Sequence, residues 1–83
     1  MPQYVQKEVQ AARENPDAEA SAELIIGVDG SHHQVRQLVT ENGGEIVEEL
    51  PFDSLHVEVP EVALDAVCES LDVGSVEYNT RVR

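Results

Sequence analysis

The alternation of apolar and polar residues is clearest between Gly43 and Val59, GGEIVEELPFDSLHVEV. Ile46 and Leu50 stand an even number of residues apart, as do Leu55, Val57 and Val59, so each set shares one face of a strand. Pro51-Phe52-Asp53 makes the corner between the two strands. Glu45, Glu48, Glu49, Asp53, Ser54, His56 and Glu58 occupy positions between the apolar ones, which gives the pair one greasy and one charged face. A sheet of that kind takes helices on its greasy side alone.

The flanking sequence supplies them. In AELIIGVD, Leu24, Ile26 and Val28 fall on one face and Ile25 and Gly27 on the other, the pattern of a central strand. Asp29-Gly30 turns the chain and Ser31 is placed to cap a helix whose stripe is Val35, Leu38 and Val39. Asn42 and Gly43 tolerate the left-handed conformation at its end. Pro60 opens a second helix, with Leu64, Val67, Cys68 and Leu71 at i, i+3, i+4 and i+7. A last strand carries Val76 and Tyr78 on one face. Ahead of all this, residues 2–14 favour a helix with a thin stripe of Tyr4, Val5, Val9 and Ala12. Asn15-Pro16-Asp17 ends it. That segment is expected to be either a frayed arm or an oligomer contact.

The order is β-α-β-β-α-β, which predicts an α+β, ferredoxin-like domain. Its sheet is four-stranded and antiparallel, with the first and third strands central and two helices on one face. The N-terminal helix and linker occupy residues 1–21, and the ferredoxin-like domain residues 22–83. On the uncovered face the pattern puts Ile25, Gly27, Glu45, Val47, Glu49, Ser54, His56 and Glu58. Ile25 and Val47 among acids make that face a candidate docking surface, although two aliphatics in a polar field are also ordinary, and topology alone does not choose.

Composition narrows the partners. Seventeen acidic residues against five basic ones give the 83-residue chain a formal charge of −12. That field repels phosphate backbones and anionic membranes, so neither nucleic acid nor a membrane surface is expected as a partner. The acidity suits either a basic partner or solvation in concentrated salt, and its spread along the whole chain favours salt, as in a halophile. No apolar run approaches the roughly 20 residues of a membrane span. The amino terminus lacks a secretory pattern, and the expected location is cytoplasmic.

Four pieces in order, LIIGV, a helix ending in Asn-Gly-Gly, GGEIVEEL and VGSVE, resemble the subtilisin-propeptide family of peptidase inhibitors. The resemblance runs from Ala22 to Arg83 and rests on Gly27-Val28, Gly43-Gly44 and the V-x-x-V-E signature at Val73, Val76 and Glu77. It implies a free-standing partner of a subtilisin-like serine protease, acting as inhibitor or folding chaperone. The open sheet face would dock on surface helices of the protease. Ile25, Val47, His56 and Glu58 would lie in that contact, with Glu77 near its edge. Thr80, Arg81, Val82 and Arg83 would run into the active-site cleft. The alternative is a small regulatory module that self-associates as a homo-oligomer through the open sheet or the first helix.

Other chemistry is weakly supported. His32-His33 at a helix start do not face one another, and no third ligand lies nearby in sequence, so no metal site is expected. His56 lacks a nucleophile or second positioned group, so no catalytic role and no enzyme are expected. Cys68 reads as a buried small hydrophobe. The glycines do not follow a strand-loop-helix order, so no phosphate-binding loop and no cofactor are expected.

Overall fold

The computed structural model describes residues 4–79. The elements are β1 (Tyr4–Val5), α1 (Lys7–Glu14), β2 (Ser21–Val28), α2 (His32–Glu41), β3 (Glu45–Leu50), β4 (Ser54–Pro60), a 3-10 turn (Glu61–Ala63), α3 (Leu64–Glu69) and β5 (Val73–Tyr78). The strands form one sheet in the order β1-β5-β2-β4-β3. The described residues are therefore mixed α+β with five strands in one sheet, not the four-stranded antiparallel sheet that the alternation implies. β2 lies between antiparallel neighbours β4 and β5, and β4 lies between β2 and β3.

The additional strand comes from the segment expected to be helical throughout. Tyr4 and Val5 pair in parallel with Ser75 and Val76 on the edge of β5. Gln6 secures the junction twice. Its backbone N–H donates to the Val76 carbonyl at 2.9 Å, and its side-chain Oε1 accepts from the Tyr78 N–H at 2.7 Å. An edge strand that would leave its amides to water is thereby satisfied. The helix begins only at Lys7, and Val9 from its face is fully buried.

All three helices cover one side of the sheet. Val9, Val35, Val39, Leu64, Val67 and Cys68 meet Leu24, Ile26, Leu55, Val57, Val59, Val73 and Val76 in a single core. Burying a Val, Leu or Ile side chain contributes about 1.5–3 kcal/mol, and this layer is what stabilises so short a chain. Arg13 of α1 adds a charged tie to α3, with Nε 2.7 Å from Asp65 and one terminal nitrogen 3.6 Å from Glu69. Exposed pairs of this kind contribute at most about 1 kcal/mol, so the apolar layer dominates.

The α2 boundaries follow the capping residues. The Ser31 hydroxyl accepts from the Gln34 N–H at 3.2 Å. At the other end Gly43 takes φ 84°, its N–H reaching the Thr40 carbonyl while the Gly44 N–H reaches that of Val39. This double bond is the Schellman arrangement, and it turns the chain straight into β3. The second helix is shorter than its apolar spacing suggests. Pro60 closes β4, a 3-10 turn intervenes, and Ser70 takes an extended conformation after Glu69. Leu71, expected on the buried stripe, is consequently outside the helix and exposed.

Two outcomes test this packing. A Cβ on Gly44 would lie 2.6 Å from the Glu58 carbonyl oxygen and 2.6 Å from Val59 Cγ1. Gly44→Ala is expected to cost about 2 kcal/mol in a urea melt, because backbone must shift to relieve the overlap. Burial also raises the pKa of Cys68, an effect that Arg13 partly opposes. Its stabilising contribution is therefore full below the unfolded thiol's range, about pH 8.5, and is lost as pH rises beyond it. Cys68→Ala should remove that part of the alkaline decline in the urea midpoint, and the native thiol should resist alkylation at pH 8.

Candidate functional site

The uncovered sheet face is set by the register of β2. Ala22, Leu24 and Ile26 point into the core, so Glu23, Ile25 and Gly27 point away from it. Directly opposite residues of antiparallel neighbours share a face. Ile25 is opposite His56 of β4 on one side and Glu77 of β5 on the other, and Glu23 is opposite Glu58. Ile25, His56, Glu58 and Glu77 are thus brought together on one surface.

The far strand departs from the expected alternation. Ile46 pairs with Val57, but the next partner, His56, faces Glu48 and not Val47. Val47 is the extra residue of a bulge, half exposed at 50%. One extra residue reverses every later position in the strand. Glu48 therefore joins the open face beside His56. Glu49, expected on that face, lies on the helix side opposite Leu55, where its Oε2 is 3.2 Å from a terminal nitrogen of Arg36 in α2. Leu50, expected on the apolar face with Ile46, falls opposite Ser54.

His56 is the one buried polar residue among those described, with 7% of its surface exposed. Its Nε2 is 3.0 Å from Glu23 Oε1 and 3.1 Å from the Asn79 side-chain amide. Glu23 only accepts, which selects the tautomer carrying its proton on Nε2. A half-turn of the Asn79 amide, exchanging nitrogen for oxygen at the same place, lets Asn79 accept that proton as well. The Asn79 backbone N–H also donates to the Glu23 carbonyl at 2.9 Å. Glu23, His56 and Asn79 thus tie β2, β4 and the end of β5 together. Glu23 and Asn79 had not been singled out in the sequence. Their signal was latent in the alternation, since Glu23 is two residues before Ile25 and Asn79 two after Glu77.

The electrostatics of the face are one-sided. Glu58 is directly opposite Glu23 on one neighbouring strand and Glu45 on the other, so three carboxylates cross the sheet in a row. Like charges directly opposite each other destabilise a sheet. Basic groups are scarce here: Arg13 and Arg36 are engaged on the helix side. The row is therefore suited to a surface that brings positive charge or N–H donors.

The hairpin tip is distinct from this face. Phe52 and Asp53 both take positive φ, 62° and 57°. Asp53 is held from two sides, its carbonyl accepting from the Val28 N–H at 2.7 Å and its carboxylate 3.1 Å from His32 Nε2. His32 is accordingly a partner of this turn. Phe52 itself is 95% exposed. Thr80, Arg81, Val82 and Arg83, expected to fill a partner's cleft, lie outside the described residues.

A sheet bare on one side and acidic across it has the form of a module that binds another protein. The comparison with known families agrees. The family model described as "Putative peptidase inhibitor domain" matches residues 4–79, and the chain belongs to that family. The match covers β1 and α1 as well as the rest of the sheet. Membership implies a protease partner. No curated protein matches the chain. Among the described residues no helix is long and apolar enough to cross a membrane.

The acidic row yields a quantitative expectation. Glu58→Gln should stabilise the isolated protein by about 0.5 kcal/mol at low salt, by removing two opposed pairs. The gain should fade toward zero in 1 M salt, where screening extends only about 3 Å. Urea melts at the two ionic strengths provide the comparison.

Proposed function

We propose that the chain inhibits a subtilisin-like serine protease, docking through the open face of its sheet and placing Thr80 to Arg83 in the active-site cleft. The observation that carries this reading is the peptidase-inhibitor family match, which spans the whole described sheet. The face offers an aliphatic centre, Ile25, ringed by Glu23, Glu48, Glu58 and Glu77. Carboxylates in such an array can cap exposed helix N-termini of a partner, each contact contributing about 0.3–1 kcal/mol and more when desolvated.

The residues after Asn79 would bind as an added strand, through main-chain hydrogen bonds with alternate side chains in pockets. Inhibition then requires slow release and not chemistry. Arg81 and Arg83 indicate a cleft that accepts a basic group. The second reading, self-association through the first helix, has less support. Val9 is buried in the chain's own core, Val5 packs against that core, and Tyr4 is paired through β1.

The test is a titration of the purified protein against subtilisin in high salt, reading residual cleavage of a small peptide. Saturable inhibition is expected. Removing Thr80 to Arg83 should weaken it by about a hundredfold, the loss of two or three hydrogen bonds at about 1 kcal/mol each. The truncated chain should keep its thermal melt, since the core lies within residues 4–79. Undiminished inhibition by the shortened chain would rule out cleft insertion. Absence of inhibition at micromolar protein would overturn the subtilisin-like reading.

A further inference from the structure

His56 occupies an unexpected place for a contact residue. It stands on the open face by register, opposite Ile25 and Glu48, yet has only 7% exposure. A side chain so enclosed offers a partner almost no surface. Its Nε2 instead bonds laterally, to Glu23 of β2 and to Asn79 immediately after β5. We infer that His56 is a positioning residue: with Glu23 it clasps Asn79 to the centre of the sheet and so fixes the orientation of the residue that precedes Thr80 to Arg83.

The physical case has three parts. First, β5 ends at Tyr78, and Asn79 lies beyond the last ladder pair, Leu24 with Tyr78. Strand ends fray unless something holds them. Here the backbone bond from the Asn79 N–H to the Glu23 carbonyl is joined by the side-chain bond to His56. Two bonds, one on the backbone and one on the side chain, fix the orientation of the residue and not merely its distance.

Second, the clasp spans three strands. Glu23 sits on β2, His56 on β4, and Asn79 follows β5. The orientation of Asn79 is therefore referred to the same strands that carry Ile25 and Glu58. Third, pre-orienting a segment that must enter a cleft lowers the ordering cost of binding it. The clasp would thus act only on binding by the residues after Asn79, while the face would bind without it. This consequence rests on the inhibitory reading above; the clasp itself does not.

The experiment pairs two substitutions with two chain lengths. His56→Leu keeps the volume apolar and buried while deleting the bonds, and His56→Gln returns an amide N–H near the position of Nε2. Against subtilisin, His56→Leu in the full chain should weaken inhibition about five- to tenfold, one hydrogen bond's worth. In the chain ending at Asn79 it should change the residual binding less than about twofold, since only the face remains to bind. His56→Gln should recover most of the loss, and thermal melts should show both variants folded.

A merely structural role predicts equal loss in both chain lengths, and that result, or full potency for His56→Leu, would overturn the inference. If the wild-type chain fails to inhibit, the subtilisin-like reading falls and amide exchange decides the clasp. Faster exchange at Asn79 in His56→Leu, with β2 and β4 unaltered, would uphold it. Unchanged exchange there would sink it.

Discussion

The double pairing of β2 is the constraint on which the rest of the molecule depends. Ser21–Val28 is hydrogen-bonded to β4 along one edge and to β5 along the other. Leu24 and Ile26 from its inner face are fully buried under the helices. A one-residue slip of this strand would carry both into water and send Glu23 and Ile25 into the core. That coupling fixes the open face as firmly as the buried one: the residues there are whatever the core alternation leaves over. Gly27 belongs to the same constraint, because a Cβ there would meet Ser75 Oγ. The close approach of β5 accounts for a glycine in mid-strand.

Most of the fold was legible because the core alternates strictly where it matters. Leu24 and Ile26, Leu55 with Val57 and Val59, and the stripe of Val35 and Val39 all face inward as their spacing implies. The failures are equally physical. Two residues are too few to show an alternation, so β1 could not be distinguished from the start of a helix. What makes Tyr4 and Val5 a strand is the free edge of β5 and the two bonds from Gln6, which are tertiary facts. Leu71 fits the helical period by accident, being past the point where Ser70 turns the backbone out.

The candidate face was legible in outline and wrong in one strand. Ile46 and Leu50 are four apart and read as neighbours on one side, but the bulge at Val47 inserts a residue between them. Nothing in the order of side chains marks a bulge, since EIVEEL is as good a strand without one. Glu48 and Glu49 therefore exchange places, one joining the open face beside His56 and the other pairing with Arg36. His56 was recognised as lying on the open face. Its burial was not, because its ring is bonded by Glu23 of β2 and by Asn79 just after β5, residues distant in sequence.

The same bulge bears on solubility. β1 and β3 are the outer strands of the sheet, and β3 is the longer of the two. A flat outer strand of six residues is a template on which other chains can stack indefinitely. A bulge such as that at Val47 bends its strand, and Glu45 and Glu48 give the border a charge that repels its own image in a neighbouring molecule. A sheet left bare on one side has, on this border, a built-in guard against polymerising with itself.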